Sequence, residues 1–268
     1  MTLPPPVINA PRLAVRGRAS ETGERAVAEE TAVALTYNQA TYAVMMATPA
    51  DLEDFGLGFS LNEGVVTRAS EILSTALVAM ELGVEVRMEL APGAADRTIA
   101  RRRRMAGPVG CGLCGVESLK EALRPLPPVT AAMAVSPGDV ADSLAALAAS
   151  QNINRATSAV HAAGFWRRGA GLVAAREDVG RHNALDKLAG ALARAGQTAE
   201  SGAIVISSRV SVEMVQKAAM MGAPVLIALS APTALAIRTA AGVGLTLIAV
   251  ARADGFEVFT GHHRMTKA

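Results

Sequence analysis

Aromatic residues are scarce in this sequence of 268 residues: Phe, Trp and Tyr together account for 3% of it, although 51% of the residues are hydrophobic. The chain is long enough for one large domain or two smaller ones, and the core must consist mainly of aliphatic side chains. No apolar run approaches the roughly 18 residues that a transmembrane helix requires, and the first residues lack the apolar stretch of a secretory signal. We therefore expect no association with membranes and a location in the cytoplasm.

The sequence also has no large excess of positive or of negative residues. The formal net charge is +2 at pH 7, which argues against bulk binding to nucleic acid and against an acidic tail. Cysteine is nearly absent, because only Cys111 and Cys114 occur. Two cysteines three positions apart cannot form the disulfide framework of a secreted protein. In a reducing compartment such a pair indicates metal binding or the chemistry of a reactive thiol.

The first half of the chain mixes polar and apolar residues in short segments. Residues 1–25 are rich in Pro, Arg and Gly and are expected to form an extended arm. Thr48 is expected to cap a helix that ends at Gly64. Alternating apolar residues predict strands at 32–38, 41–47 and 82–90.

A proline-rich segment at 124–129 has three prolines in six residues. We interpret it as the linker between an N-terminal domain of residues 1–128 and a C-terminal domain of residues 129–268. Beyond it, short apolar segments alternate with amphipathic helices, which predicts a parallel α/β sheet covered on both faces. The predicted strands are 202–208, 224–229, 245–250 and 257–260, and the predicted helices are 211–222 and 230–242. The first domain is predicted to be smaller and α+β.

Glycines flank both cysteines in the segment GCGLCG at 110–115, and five arginines lie within the fifteen residues before Cys111. Positive charge and unshielded backbone N–H groups favour the thiolate, which is the nucleophile of sulfur exchange. Three interpretations remain open: a zinc site, a dithiol redox pair and a sulfur carrier. A zinc site needs four ligands, and the four histidines form no second ligand pair. The arginines form either a solvated surface or a docking site for an acidic partner or for cofactor phosphates.

A second polar cluster spans Arg176 to Asn183 and contains two arginines, two carboxylates, a histidine and an asparagine within eight residues. An apolar helical stripe follows, so the cluster is expected to occupy a turn and the first helical turn. It is either a structural network of ion pairs or the wall of a ligand site. In the second case Arg181 and His182 would contact the ligand, and His182 could gain or lose a proton.

The ends of the predicted parallel strands collect small polar and basic residues. Ligands of open α/β sheets bind beyond the carboxyl ends of the strands, where helix N-termini attract phosphate. We therefore expect a nucleotide-like or phosphorylated ligand there. The three segments are Ser207-Ser208-Arg209, Ser230-Ala231-Pro232 and Arg252-Ala253-Asp254-Gly255. His161 begins a partial match to the His-x-Glu of zinc deaminases, but Ala163 replaces the catalytic Glu and no cysteine pair follows. Deaminase activity is not expected.

Taken together, these segments resemble the FdhD family, the formate dehydrogenase accessory sulfurtransferases. The resemblance runs from about residue 42 to residue 260 and is most specific where CGLCG is followed by REDVGRHNALDK. It implies a C-terminal domain with a deaminase-like α/β/α sandwich fold, and a homodimer. The chain departs from this pattern at two places, because the family tends to have glycines where this chain has Ser158-Ala159 and Ser208. The loss of these glycines would tighten loops around a bulky ligand.

The resemblance also implies a reaction. Such a protein accepts sulfur from a cysteine desulfurase as a persulfide on Cys111. As a hypothesis of our own, Cys114 assists the release of this sulfur. It passes the sulfur to Mo-bis(molybdopterin guanine dinucleotide) before this cofactor enters formate dehydrogenase, and the protein itself holds no metal. The family's cofactor-binding stretch aligns with Val250, Ala251, Arg252, Ala253, Asp254 and Gly255; Ser207, Arg209, Ser230, Arg181 and His182 complete the predicted site. The alternatives are a cofactor-binding chaperone without sulfur chemistry and a dithiol redox enzyme.

Overall fold

The computed structural model describes residues 2–96, 125–252 and 254–266. Both cysteines, the arginine run and Ala253 lie outside these residues. Within the described residues the chain forms three β-sheets, of two, four and six strands, together with helices. No described helix has both the length and the apolar content needed to cross a membrane. The predicted mixed α/β class is confirmed, whereas the deaminase-like topology and the domain boundary at 128 remain predictions.

The expected extended arm is an antiparallel hairpin, in which β1 (Val7–Arg16) pairs with β2 (Ala19–Ala28). Its residues are mostly exposed and include no large buried side chain. The sequence suggested an extended segment but not its pairing, because few of its apolar residues alternate.

A four-stranded sheet follows, in the order β4-β3-β6-β5. Its strands are β3 (Thr31–Tyr37), β4 (Ala40–Ala47), β5 (Ile72–Met80) and β6 (Gly83–Leu90). Asn38 and Gln39, both with positive φ, turn the chain between β3 and β4. Helix α1 (Leu52–Asn62) covers one face, where Phe55 and Phe59 pack against apolar residues of β3 and β6.

The predicted start of this helix is wrong. Asp51, not Thr48, occupies the N-cap position, and its side chain makes no capping hydrogen bond. Thr48 contacts the second half of the chain instead: its backbone N–H donates to Asp178, and its hydroxyl accepts a hydrogen bond from the backbone N–H of Val179. A tertiary contact therefore replaces the local cap.

The six-stranded sheet has the order β12-β11-β10-β9-β7-β8. Its central strands β9, β10 and β11 run parallel, as predicted, while β7 runs antiparallel to β9 and β12 antiparallel to β11. The strands are β7 (His161–Arg167), β8 (Gly171–Asp178), β9 (Ala203–Ile206), β10 (Val225–Ala228), β11 (Thr246–Arg252) and β12 (Gly255–Thr260). The helices are α2 (Pro137–Ser150), α3 (Asn152–Thr157), α4 (Arg181–Arg194), α5 (Val212–Met220) and α6 (Ala234–Val243).

Helices cover both faces of this sheet. Successive residues of a strand point towards opposite faces, so the apolar strands present side chains to the helices on each side. Ile204 and Ile206 of β9 belong to the core formed with α4, α5 and α6, whereas Val205 belongs to the core formed with α2. Every residue of β9 and β10 is buried. The continuous apolar runs of the sequence are thus explained by burial on both faces.

Helix α2 begins with a capping box that we expect to be sensitive to acid. The Ser136 hydroxyl accepts from the Asp139 backbone N–H at 3.2 Å, and the Asp139 carboxylate accepts from the Ser136 backbone N–H at 2.8 Å. The ion pair with Arg168, and then the Ser136 hydrogen bonds, lower the pKa of Asp139 from 3.8 to about 2. A lowered pKa in the folded state means that this stabilisation is present above pH 4 and is lost as the pH falls towards 2.

Asp139→Ala should therefore lower the free energy of unfolding by about 1 kcal/mol at pH 7, and the difference from the unmodified protein should shrink below pH 4. Urea unfolding at both pH values measures it. Asp142→Ala, an exposed carboxylate on the same helix, should have little effect at either pH. A deficit for Asp139→Ala that does not change with pH would contradict the assignment.

Candidate functional site

The sheet topology places most predicted site residues along one edge. The parallel strands β9, β10 and β11 all end there, and β7 begins there because it runs antiparallel to β9. Strand β8 ends at the same edge, followed directly by the start of α4. We call this the carboxyl edge. The predicted site residues that lie along it are Arg181, His182, Ser207, Arg209, Ser230 and residues 250–252, and His161 lies there as well.

Several of these residues already make hydrogen bonds within the protein or pack in its core. The Ser207 hydroxyl accepts a hydrogen bond from the Ala162 backbone N–H at 2.8 Å, and the Arg252 guanidinium donates to the backbone oxygen of Leu229 at 2.9 Å. Ala251 is only 1% exposed and packs in the core. Almost none of Ala251, backbone included, is therefore exposed to a ligand.

Strand β11 is distorted where it meets the edge. Val250 has a φ of 52°, and its backbone N–H donates to the Ser230 oxygen at 3.2 Å. Positive φ in a β-branched residue costs about 1–3 kcal/mol and requires support from its surroundings. The pairing with β12 shifts register between Ala249 and Arg252. The loop before β7 has a similar feature, since Ser158 has a φ of 58° at a position where the FdhD resemblance predicts glycine.

The cluster from Arg176 to Asn183 is largely a buried network of ion pairs and hydrogen bonds that connects the two halves of the chain. Asp178 and Lys187 are both 0% exposed, with 2.6 Å between the carboxylate oxygen and Nζ. The Asp178 carboxylate also accepts from the backbone N–H groups of Thr48 and Gly180 and from the Asn183 amide. Lys187 Nζ donates to the Thr48 backbone oxygen at 2.8 Å. Burial lowers the pKa of Lys187, and the adjacent Asp178 opposes this effect.

Two further polar contacts join α1 to the second half. Arg176 contacts Asp54 with two nitrogens, at 2.8 and 2.6 Å. Lys217 lies 2.8 Å from Asp186, which also accepts from the Asn62 amide at 2.7 Å. The expectation that Arg176 to Asp178 form a turn is wrong, because these residues end β8. The structural interpretation therefore applies to Arg176, Asp178 and Asn183.

Sequence reasoning did not identify Lys187, Asp186 or Lys217 as members of this network. A signal was available: Asp186 and Lys187 interrupt the helical stripe of Leu185 and Leu188, and charged residues beside such a stripe tend to be buried only in pairs. Two of their partners, Asn62 and Thr48, could not be identified, because they lie more than a hundred positions away.

Arg181 and His182 stand apart from this network. Arg181 Nε and His182 Nε2 are buried and have no hydrogen-bond partner among the described residues. Burial, followed by the nearby charges of Arg181 and Lys217, lowers the pKa of His182 to about 4. Burial and Arg181 also lower the pKa of His161. At neutral pH His182 is therefore uncharged, and the Arg181 guanidinium, whose Nε has no partner among the described residues, has unused capacity to bind an anion.

Among the described residues, no group of three His, Cys, Asp or Glu side chains could hold a metal ion. Cys111 and Cys114 are not among those residues, so the roles predicted for them rest on the sequence.

Comparison with known proteins gives a consistent result. The model of the FdhD/NarQ family matches residues 28–266. The chain is 52% identical to the sulfur carrier protein FdhD of Agrobacterium fabrum over 255 residues, which cover 95% of this chain and 94% of that protein. It is 55% identical to the sulfur carrier protein FdhD of Brucella abortus over 249 residues, 92% of this chain and 93% of that protein.

A solved structure is also similar. The crystal structure of a formate dehydrogenase accessory protein from Desulfotalea psychrophila superimposes with a TM-score of 0.78 at 26% sequence identity. The match covers 98% of this chain and 100% of that one. The similarity thus includes both the four-stranded and the six-stranded sheets.

Proposed function

The chain belongs to the FdhD/NarQ family, and on that premise we propose that it is a sulfur carrier in the maturation of formate dehydrogenase. The observation that carries the proposal is its identity of 52–55% to sulfur carrier proteins over more than nine-tenths of its length. The pair Cys111 and Cys114, the only cysteines of the chain, supplies the required nucleophiles.

The first step loads sulfur onto Cys111. Its thiolate attacks the outer sulfur of a persulfide on a cysteine desulfurase, forming a Cys111 persulfide, and the desulfurase cysteine leaves as a thiolate. The neighbouring arginines and glycine N–H groups stabilise the anionic persulfide. No oxidant is needed, because one sulfur–sulfur bond forms as another breaks.

The second step delivers the sulfur. The Cys114 thiolate attacks the inner sulfur of the Cys111 persulfide, so that a disulfide forms and hydrosulfide leaves with two electrons. The hydrosulfide replaces an oxo ligand of the molybdenum in Mo-bis(molybdopterin guanine dinucleotide), which is the cargo of the protein, and the oxygen leaves as hydroxide with the proton of the hydrosulfide. A cellular dithiol then reduces the Cys111–Cys114 disulfide. This sulfur transfer makes the protein a sulfurtransferase.

The carboxyl edge is the proposed holding place for that cargo. Its loops come from the ends of three parallel strands, where α/β folds bind nucleotides. The residues proposed to contact the cofactor are Val250, Ala251, Arg252, Ala253, Asp254, Gly255, Ser207, Arg209, Ser230, Arg181 and His182. We further propose that the protein acts in the cytoplasm as a homodimer, receives sulfur from a cysteine desulfurase, and releases the loaded cofactor to formate dehydrogenase.

Intact-mass measurement after incubation with a desulfurase and cysteine tests this function. The unmodified protein should gain the mass of one sulfur atom, which a reductant removes. Cys111→Ala should gain none, and Cys114→Ala should still gain it, because only Cys111 receives sulfur in the first step.

Two results would reject the proposal. If neither the unmodified protein nor either cysteine variant gains the mass of a sulfur atom, the result would favour a cofactor-binding chaperone. Nucleotide affinity that survives both cysteine substitutions would support that alternative. A reversible disulfide that forms without the desulfurase, with no sulfur added when the desulfurase is present, would favour a dithiol redox enzyme.

A further inference from the structure

A cavity of about 280 Å³ lies where the C-terminal ends of three helices meet. Its walls come from the ends of α1, α4 and α5, from the segment that follows α1, and from the turn that follows α4. Both halves of the chain therefore contribute to it. Its lining includes Leu61, Val66, Leu192, Gln197, Met220 and Met221.

This cavity lies far from the carboxyl edge. Arg181 at that edge is the first residue of α4, whereas Leu192 in the cavity wall is close to the last. At a rise of 1.5 Å per residue, these two residues lie roughly 17 Å apart along the helix axis. The cavity and the carboxyl edge are therefore at opposite ends of α4.

The lining is mostly apolar but includes a hydrogen-bond acceptor without a donor. Val66 and Leu192 are buried. Gln197 is held against the end of α4, because its backbone N–H donates to the Leu192 backbone oxygen at 2.9 Å. Its side-chain Oε1 is buried and has no partner among the described residues. Buried amide oxygens normally accept hydrogen bonds, so this atom calls for a donor from outside those residues.

The electrostatic setting of the cavity disfavours an anion. Helix C-termini carry partial negative charge on their unpaired carbonyl groups, and three such ends converge here. The cations in the last turns of α4 and α5 are already paired. Arg194 lies 2.7 Å from Glu53, and Lys217 lies 2.8 Å from Asp186. An occupant that is neutral or positively charged is therefore favoured.

We propose that this cavity binds a small, mostly apolar molecule with one N–H or O–H donor and no negative charge, and that the donor binds Gln197 Oε1. A volume of about 280 Å³ is close to the lower limit of ligand pockets and suits a single or fused aromatic ring. The site and its class of ligand differ from those of the proposed function, and the inference does not depend on that function. Because the ligand contacts both halves of the chain, its binding should also stabilise the fold.

Calorimetric titration with indole, which has an apolar ring system and one N–H donor, tests this site. Indole should bind with a Kd in the sub-millimolar range, and 1-methylindole, which lacks the donor, should bind about fivefold more weakly or worse. Gln197→Met removes the acceptor at similar volume, so the difference between the two probes should disappear. Gln39→Met makes the same change in the exposed turn between β3 and β4 and should leave both affinities unaltered.

A second variant locates the site independently of Gln197. Ala193 lines the cavity near the end of α4. In Ala193→Leu the larger side chain occupies part of the cavity, and leucine is a good helix former, so the protein should fold while indole binding falls about tenfold or more. Thermal unfolding gives a further readout, because indole should raise the Tm of the unmodified protein but not that of Ala193→Leu.

Two charged probes test the electrostatic argument. Tryptamine and indole-3-acetate add an ammonium group and a carboxylate, respectively, to the same ring system. At equal ionic strength tryptamine should bind at least about fivefold more tightly than indole-3-acetate, because the helix C-termini repel the carboxylate.

Three results would each overturn the inference. The first is no binding of indole to the unmodified protein. The second is equal affinity for indole and 1-methylindole, which would mark an apolar groove without a specific donor contact. The third is a preference for indole-3-acetate over tryptamine. None of them bears on the loading of Cys111, which is measured by mass.

Discussion

Replacing Gly58 with alanine is expected to cost about 3 kcal/mol or more of unfolding free energy, enough to prevent folding in many small domains. Gly58 of α1 and Gly190 of α4 lie where these helices cross. A Cβ atom at Gly58 would lie 1.7 Å from the Asp186 backbone oxygen, and one at Gly190 would lie 1.9 Å from the Asp54 backbone oxygen. Both obstacles are backbone atoms, so relief requires the helices to separate. Such a separation would also pull apart the ion pairs that join the two halves.

The control is another helical glycine. A Cβ atom at Gly242 in α6 meets nothing within 4 Å. Gly242→Ala should therefore be neutral, or stabilising by up to about 1 kcal/mol from helix propensity. Urea unfolding of the two variants measures the contrast. Similar midpoints for Gly58→Ala and Gly242→Ala would show that the helices do not cross as closely as described.

Lys187→Met should destabilise the protein by about 3–5 kcal/mol, because it leaves the Asp178 carboxylate buried without a cation. Methionine preserves most of the side-chain volume, so the loss reports on charge rather than on a cavity. Combining it with Asp178→Asn should recover part of the loss, since the unpaired charge is then removed as well. The measurement is again urea unfolding at neutral pH.

An exposed ion pair provides the comparison. Arg87 lies 2.6 Å from Glu85, and its side chain is 46% exposed. Arg87→Met should cost no more than about 1 kcal/mol, because water solvates both partners after the pair is broken. If Lys187→Met proves as mild as Arg87→Met, the buried network does not hold the two halves together.

The residues of the cluster from Arg176 to Asn183 fall into two groups. Arg176, Asp178 and Asn183 lock the second half of the chain onto α1 and the segment before it. Arg181 and His182, from the same stretch, are left without full hydrogen bonding at the carboxyl edge. The structural and the ligand-binding interpretations of this cluster are therefore compatible, and each applies to different residues.

The secondary structure could be predicted where the apolar pattern is strong. Strands β3, β4, β6 and β9 to β12 lie close to their predicted positions, as does α5. Helix α6 begins at Ala234 with Thr233 as its cap, later than the predicted start at Ser230. Elements rich in alanine were missed, including α2 and β8, since alanine marks neither a buried strand nor an apolar helix face clearly.

The sequence by itself determined the family and the α/β character of the second half, and it predicts which residues carry sulfur, because periodicity and short motifs are local properties of the chain. Only the tertiary structure decided which polar side chains satisfy one another and which remain available. Thr48 reads locally as a helix cap, yet it binds Asp178, 130 residues away. Hydrogen bonding and burial depend on which distant segments meet, and the order of residues along the chain does not state this.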